Sequence, residues 1–305
     1  RTLMKKKILL ATFAALLVAI GLQIRFDLAP QEVEKQYALP ESKFAEIAGQ
    51  RVHFTDEGKG EVVLLIHGTA ASLHTWQDWM PALKKQFRVL RVDLPAFGFT
   101  GPAKDRDYSI DAYVRFIENF LTHLKVKQLN LVGNSLGGQI AWHYAAQHPD
   151  DIHKLVLIDS AGFTLPNIPL PIRVARLPGI GKIARYIGPR FLVKKSLKQV
   201  YFDDNKVTDT LIDRYYAMSL RAGNRDAFVD RALQRKDDDP NLLKRVRMPT
   251  LILWGRHDEW IPVEHAESFR KKLLLPQVII YENAGHVPHE EIPQQTAADV
   301  LQFLK

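Results

Sequence analysis

The chain has 305 residues and no cysteine, which excludes disulfides, thiolate metal sites and a cysteine nucleophile. Hydrophobic residues make up 46% of it and charged residues 25%, the balance of a folded globular protein rather than a disordered one. The formal net charge is +8, but no nucleic-acid-binding motif accompanies the scattered basic residues, so we predict no nucleic-acid partner.

The N-terminal segment, residues 1–24, is predicted to be a membrane anchor or a signal segment. Lysines at positions 5 to 7 precede a nearly uninterrupted apolar run from Ile8 to Ile24. At about 1.5 Å per residue, a helix over this run would just cross a hydrocarbon layer of about 30 Å. The run offers only a poor signal-peptidase site. We therefore predict an uncleaved anchor that places the folded domain outside the cytoplasm, on the periplasmic side, with secretion after signal cleavage as the alternative.

Segments typical of strands begin after a polar, proline-containing stretch, residues 25–42, that we interpret as a linker. Residues 44–48 and 51–55 flank Gly49-Gln50 and predict a hairpin. Short runs rich in Val, Leu and Ile follow, as in strands buried on both faces of a parallel sheet. These runs are Val62–Ile66, Arg88–Val92, Leu129–Val132, Leu155–Ile158, Leu251–Trp254 and Val278–Tyr281.

Amphipathic stretches lie between these runs and predict helices. They are Asp111–Leu124, Leu136–Gln147, Val263–Leu274 and Gln294–Leu304. Strand alternating with helix predicts an α/β fold, a mostly parallel eight-stranded sheet with helices on both faces. Residues 163–245 interrupt the alternation with prolines and helical segments, so we interpret them as a helical cap inserted between two parts of the core, residues 43–162 and 246–305.

The strongest local motif is Gly133-Asn134-Ser135-Leu136-Gly137. A predicted strand precedes it and a predicted helix follows it, which is the context of a nucleophile elbow. Glycine at the flanking positions lets the backbones approach closely, and the serine hydroxyl then projects at the positive end of the helix. We therefore predict Ser135 as a nucleophile.

A serine hydroxyl needs a general base and a carboxylate that orients the base. His286 follows the last predicted strand and Asp258 follows the strand before it, so both lie at the same sheet edge as Ser135. The chain order serine, acid, histidine is the order used with this kind of elbow. We predict Asp258 and His286 for these two roles. The alternatives are His289 as base and Asp159 or Glu259 as acid.

A tetrahedral intermediate also needs hydrogen-bond donors for its oxyanion. His67-Gly68-Thr69 follows the strand Val62–Ile66, so we predict the backbone N–H groups of Thr69 and Leu136 as the oxyanion hole. His67 itself is interpreted as a structural residue. We predict no metal site and no cofactor.

Taken together, these motifs resemble the α/β-hydrolase superfamily, and specifically its capped serine hydrolases: bacterial esterases, monoacylglycerol lipases and meta-cleavage-product hydrolases. The resemblance runs from Phe44 to Lys305. It rests on His67-Gly68, Asp93-Leu94-Pro95-Ala96-Phe97-Gly98, Gly133 to Gly138, Gly255 with Asp258, and Gly285-His286. Serine at position 135 differs from the aspartate of haloalkane dehalogenases and epoxide hydrolases.

The motifs and the resemblance imply a serine hydrolase that cleaves carboxylic esters through an acyl-serine intermediate. The expected partner is a small ester with an apolar or lipid-like acyl group, and the N-terminal segment adds an expected membrane contact. Two alternatives stay open: a hydrolase of carbon–carbon bonds of the meta-cleavage-product type, and a ligand-binding homologue of the fold without enzymatic activity. The oligomeric state is left open as well.

Overall fold

The computed structural model describes residues 25–165, 167–177, 186, 188–234, 236 and 238–305. The apolar run that suggested a membrane anchor lies outside these residues. Within them, no helix is both long and apolar enough to cross a membrane. The longest, Ile110–His123, has 14 residues and therefore spans about 21 Å, less than the hydrocarbon layer. We therefore correct the prediction of a membrane-anchored or secreted protein, because the described chain contains no span that would support it.

Eight strands form one sheet in the order β1-β2-β4-β3-β5-β6-β7-β8. They are β1 (Lys43–Ile47), β2 (Gln50–Gly58), β3 (Val62–Ile66), β4 (Arg88–Val92), β5 (Leu129–Asn134), β6 (Ile152–Ile158), β7 (Thr250–Gly255) and β8 (Pro276–Tyr281). Strand β2 is antiparallel to both of its neighbours, and every other pair is parallel. The predicted mostly parallel, eight-stranded α/β sheet is thus confirmed.

The hairpin between β1 and β2 turns one residue earlier than predicted. Ile47 pairs with Gln50, so the two loop residues are Ala48 and Gly49. Both have positive φ, 49° and 78°. That geometry is the two-residue turn whose twist matches the twist of paired strands.

Eleven helices are found in the part of the chain that the structure describes. They are α1 (Pro30–Tyr37), α2 (Met80–Leu83), α3 (Ile110–His123), α4 (Leu136–Gln147), α5 (Leu170–Ala175), α6 (Arg190–Val200), α7 (Asp209–Leu220), α8 (Asn224–Gln234), α9 (Glu264–Lys272), α10 (Pro288–Glu291) and α11 (Pro293–Leu304). Short 3₁₀ helices cover Leu73–Trp79, Asp204–Lys206 and Pro240–Arg245.

Helices cover both faces of the sheet because alternate strand residues point to opposite faces. In β3, Leu64 and Ile66 belong to the apolar core that includes Phe120 of α3 and Trp142 of α4. Val63 and Leu65 belong to a second core, on the other face, with residues of α2 and α11. These four side chains of β3 are fully buried. The five-residue apolar run was therefore predictable as a strand covered on both sides.

The segment between β6 and β7 contributes helices α5 to α8 and, in its described residues, no strand. Helix α7 of this segment also receives the predicted linker: Val33 of α1 packs against Ala217 and Met218. The backbone N–H of Leu28 donates to the carbonyl oxygen of Leu220 at 2.8 Å. Residues 25–42 are therefore an ordered part of the domain surface, held against the inserted helices.

Candidate active site

Ser135 lies on the sharp turn between β5 and α4. Its backbone has φ 54° and ψ −115°, a strained conformation for a residue with a side chain. The turn is held by two hydrogen bonds: Ser135 N–H donates to Ile158 O at 3.0 Å, and Ser135 O accepts from Ala161 N at 3.1 Å. A Cβ on Gly133 would lie 2.2 Å from the carbonyl oxygen of Gly137, so only glycine fits there. This geometry is that of a nucleophile elbow.

Asp258 and His286 form a short, buried hydrogen bond. His286 Nδ1 and Asp258 Oδ2 are 2.6 Å apart, and both side chains are at most 5% exposed. The other carboxylate oxygen accepts from the backbone N–H groups of Trp260 and Ile261 at 2.7 Å and 2.9 Å. Because the carboxylate accepts at Nδ1, the imidazole proton lies there and Nε2 remains available as a base.

The loop that carries His286, residues 282–287 (the histidine loop), is hydrogen-bonded directly to the elbow. The side-chain amide of Asn134 donates to the backbone carbonyl of His286 and to that of Ile158, each at 3.1 Å. No direct hydrogen bond joins the Ser135 hydroxyl to the His286 imidazole, although both residues are within the described chain. Such contacts commonly tighten only when substrate is bound.

The loop after β3 approaches the elbow closely. A Cβ on Gly68 would lie 3.1 Å from the Cβ of Ser135, so glycine is required for the approach. His67 is fully buried: its Nε2 accepts from Leu94 N at 2.9 Å and its Nδ1 donates to Gly68 O at 2.8 Å. Burial lowers the pKa of His67, in keeping with a neutral ring that holds the loop.

A cavity opens at the elbow. It is lined by the predicted nucleophile and both predicted oxyanion residues, by apolar side chains, and by one glutamine and one arginine: Thr69, Ser135, Leu136, Gln139, Ala161, Leu165, Pro169, Ile172, Arg231, Trp260 and Ile261. Its volume is about 30 Å³. Ile172 and Arg231 of this wall belong to α5 and α8 of the inserted segment, so a movement of these helices would widen the cavity.

Comparison with known proteins assigns the family. A family model described as "alpha/beta hydrolase fold" matches residues 61–293, which is more than half of the chain. The chain belongs to the alpha/beta hydrolase fold family. The resemblance inferred from the sequence motifs is thereby confirmed.

Three proteins similar to this α/β hydrolase match most of its length. A 2-hydroxymuconate semialdehyde hydrolase of Pseudomonas sp. (strain CF600) is 29% identical over 268 residues, covering 84% of this chain and 91% of the relative. Monoacylglycerol lipase ABHD6 of Homo sapiens is 28% identical over 251 residues, covering 79% and 74%. The solved structure of the meta-cleavage product hydrolase CumD of Pseudomonas fluorescens IP01 superimposes with a TM-score of 0.76 at 25% identity, covering 86% and 97%.

The surroundings of the alternative base and of one alternative acid disfavour a catalytic role for them in this α/β hydrolase. His289 is fully buried, packs against the ring of Trp76 with ring centroids 4.3 Å apart, and bonds Thr75 Oγ1 through Nε2 at 2.9 Å. Burial lowers its pKa to about 3, so the ring stays neutral and structural. Glu259 is exposed to solvent, beside the buried Asp258.

The third alternative, Asp159, lies at the site as well, because its carboxyl group is close to that of Asp258. One ligating atom each of Asp159, Asp258 and His286 lies within 4.8 Å of the others. Such a cluster could hold a metal ion, but His286 and Asp258 already share the Nδ1 proton, so we assign these two groups to each other. The sequence placed both acids at this edge without indicating that they meet.

Two further residues near the site were missed from the sequence. Glu291 fixes the histidine loop: its carboxylate accepts from the backbone N–H of Gly285 at 2.6 Å and of Phe202 at 2.9 Å. Arg231 of α8 contributes a buried guanidinium to the cavity wall, with its central carbon 5.9 Å from the Phe97 ring. The two adjacent acidic residues after His289, Glu290 and Glu291, could have indicated a role near the site, whereas nothing in the sequence distinguishes Arg231 from other arginines.

Proposed function

We propose that this α/β hydrolase cleaves carboxylic esters with apolar acyl groups through an acyl-serine intermediate. The observation that carries the proposal is the 2.6 Å bond between His286 and Asp258, on a loop that Asn134 ties to the nucleophile turn. A histidine oriented in this way beside a strained serine turn is suited to general-base chemistry.

In this mechanism the hydroxyl oxygen of Ser135 attacks the ester carbonyl while His286 Nε2 takes its proton. Asp258 stabilises the imidazolium that forms. The oxyanion is bound by the backbone N–H groups of Thr69 and Leu136, at the positive end of α4. His286 then protonates the leaving alcohol, activates a water that attacks the acyl-serine, and returns the proton to Ser135 as the acid leaves.

The cavity wall supports an apolar acyl group. Leu165, Ile172 and Ile261 line it together with the half-buried Trp260. Burying a hydrocarbon chain against such residues contributes about 0.8 kcal/mol for each methylene removed from water. Specificity should therefore rise with acyl-chain length until the wall is filled.

The test is hydrolysis of p-nitrophenyl esters of increasing acyl length by the full chain, together with labelling by a fluorophosphonate probe. Ser135→Ala should abolish labelling and lower kcat by at least about 10³-fold. The matched control is Ser268→Ala, because Ser268 is a half-buried residue of α9 whose hydroxyl bonds only its own helix at Glu264 O. Turnover that survives Ser135→Ala would refute the mechanism, and absence of labelling in the unaltered protein would favour a ligand-binding homologue.

A second candidate is hydrolysis of a carbon–carbon bond in dienol-type diketones. It is favoured by the 29% identity to a 2-hydroxymuconate semialdehyde hydrolase and by the buried Arg231, whose guanidinium suits an anionic substrate group. The same serine and histidine would serve this reaction, so only substrates distinguish the two. Comparing kcat/KM for aryl esters with kcat/KM for meta-cleavage products decides between them.

A further inference from the structure

A second carboxyl group lies beside the Asp258–His286 pair and takes no part in the mechanism above. Asp159 follows β6, is fully buried, and has a positive φ of 43°. Its Oδ1 accepts from the backbone N–H of Gly255 at 2.9 Å. Its Oδ2 is buried without a hydrogen-bond partner in the described part of the chain.

The neighbours of Asp159 decide which of the two acids carries a proton. Asp258 receives two backbone N–H groups and the His286 imidazole, whereas Asp159 receives one N–H. Two carboxylates this close in a dry site cannot both ionise without a large electrostatic cost. Burial, and then the charge of Asp258, raise the pKa of Asp159 well above its usual range. Asp159, which accepts fewer hydrogen bonds than Asp258, therefore keeps the proton.

The remaining ionisable groups near Asp159 act in the same direction or are neutral. Glu291 adds negative charge that further disfavours an ionised Asp159. Tyr281 lies close enough for Asp159 to contribute to raising its pKa, after burial and Asp299, so its phenol is uncharged. His286 is the one basic group of the cluster, and it is bonded to Asp258.

We propose that Asp159 is a neutral carboxylic acid that donates a hydrogen bond from Oδ2 to the Asp258 carboxylate and so positions the acid partner of His286. The proposal rests on the function proposed above, and it makes Asp159 a positioning residue rather than a catalytic one. A neutral donor holds Asp258 in place and leaves a single negative charge beside the imidazole. It also supplies the partner that the buried Oδ2 otherwise lacks.

Two substitutions separate the neutral donor from a structural or charged role. In Asp159→Asn the amide oxygen can accept from Gly255 and the NH₂ can donate to Asp258, so the variant imitates a permanently protonated acid. Asp159→Leu keeps the branched shape, with a larger volume, and removes the donor. We expect Leu to lower kcat about tenfold to a hundredfold with KM changed by less than about threefold, and Asn to restore most of that loss.

The pH dependence of kcat/KM gives the sharper readout. If Asp159 were ionised, its charge would favour the protonated imidazole, and Asp159→Asn would move the acidic limb to lower pH by about one unit. For a neutral Asp159 the acidic limb of Asp159→Asn coincides with that of the unaltered protein. A shifted limb, or an Asn variant as impaired as the Leu variant, would overturn the proposal.

An infrared difference spectrum tests protonation independently of any turnover. Subtracting Asp159→Asn from the unaltered full chain at neutral pH should reveal the C=O stretch of a protonated carboxyl, whereas the exposed control Asp150→Asn should reveal only a carboxylate band. A carboxylate band at Asp159 would overturn the proposal even if the protein hydrolysed no ester. If the protonated band is present but the esterase assay fails, only the proposed function is refuted. If Asp159→Leu folds poorly, this spectrum still decides whether Asp159 is protonated.

Discussion

The side-chain amide of Asn134 bonds the backbone carbonyl of His286 at 3.1 Å, across 152 positions of sequence. The same amide also bonds Ile158 O, at the end of the neighbouring strand. One side chain therefore joins the turn that holds Ser135, the end of β6 and the loop that holds His286. The spacing between the proposed nucleophile and base depends on this contact as well as on the sheet.

We predict that Asn134→Ala lowers both activity and stability. The buried carbonyl of His286 would lose its donor, whereas that of Ile158 would keep the backbone N–H of Ser135, and we expect a cost of about 1–3 kcal/mol in the free energy of unfolding. The histidine loop would also lose its bond to the elbow, so kcat should fall by about tenfold. Urea unfolding and ester kinetics check this. Asn205→Ala is the control, because Asn205 is exposed and its side-chain amide bonds only the nearby Asp203; equal effects in both variants would contradict the assigned role.

Replacing the proposed orienting acid should have a much larger kinetic effect. Asp258→Asn would favour the wrong imidazole tautomer, since an amide NH₂ facing Nδ1 donates rather than accepts. We expect kcat to fall by about 10³–10⁴-fold, the scale known for this change in serine proteases. The neighbouring exposed Glu259→Gln should stay within about twofold of the unaltered rate. A comparable loss in Glu259→Gln would assign the acid role differently.

The sequence predicted the sheet well because its strands are short apolar runs with both faces covered. Val62–Ile66 and Arg88–Val92 coincide with β3 and β4, and β5 ends in the motif that marks Ser135. The hairpin turn was misplaced by one residue, because positive φ at Ala48 is not indicated by its residue type. The membrane prediction was wrong for a different reason: it rested on residues 8–24 alone, and no helix of the described chain could span a bilayer.

The site was less predictable than the sheet because its details depend on tertiary contacts. Asp159 and Asp258 both follow parallel strands, so the chain order alone could not rank them as acids. What distinguishes them is the number of donors each receives, which is a property of the folded loops. Arg231 lies on a cap helix, where no strand register fixes its position relative to Ser135.

A buried acid–base pair beside the segment that follows β3 should control acid stability. Asp93 is fully buried, its Oδ2 lies 2.6 Å from His53 Nδ1, and it accepts from the backbone N–H groups of Leu73 and Phe99. Burial alone would raise the pKa of Asp93, but the charge and hydrogen bond of His53 outweigh it and hold the pKa well below its usual range. A carboxylate whose pKa is depressed on folding stabilises the protein above the unfolded value, about 3.9, and loses that contribution as pH falls below it.

We therefore predict that Asp93→Asn costs about 3–5 kcal/mol in the free energy of unfolding at neutral pH, as expected when one partner of a buried pair is removed. The decline of stability below about pH 4 should also become shallower in this variant. Guanidinium unfolding from pH 3 to pH 7 measures both effects. The exposed Asp150→Asn should change neither, and an unaltered acid slope in Asp93→Asn would contradict the assignment.

Glu290 joins the cap to the core at the 3₁₀ helix Leu73–Trp79. The hydroxyl of Tyr215 on α7 donates to Glu290 Oε1, and that of Tyr201, just after α6, donates to Oε2, each at 2.8 Å. On the core side, Thr75 donates a short hydrogen bond to the same carboxylate. Because α6 and α7 both meet the core at this carboxylate, it is placed to set how readily these helices separate from the core.

Tyr215→Phe removes one donor from this buried carboxylate and should lower stability by about 1–3 kcal/mol. Amide hydrogen exchange in α6 and α7 should accelerate, because the opening of the cap becomes less costly, while the core strands keep their protection. The adjacent Tyr216→Phe is a close control, since the Tyr216 hydroxyl is buried without a hydrogen-bond partner among the described residues and its loss should cost little. If both variants exchanged alike, Glu290 would not be the contact that holds the cap, and the opening would have to depend on the apolar contacts of Leu197, Val200 and Ile212 with Val287 instead.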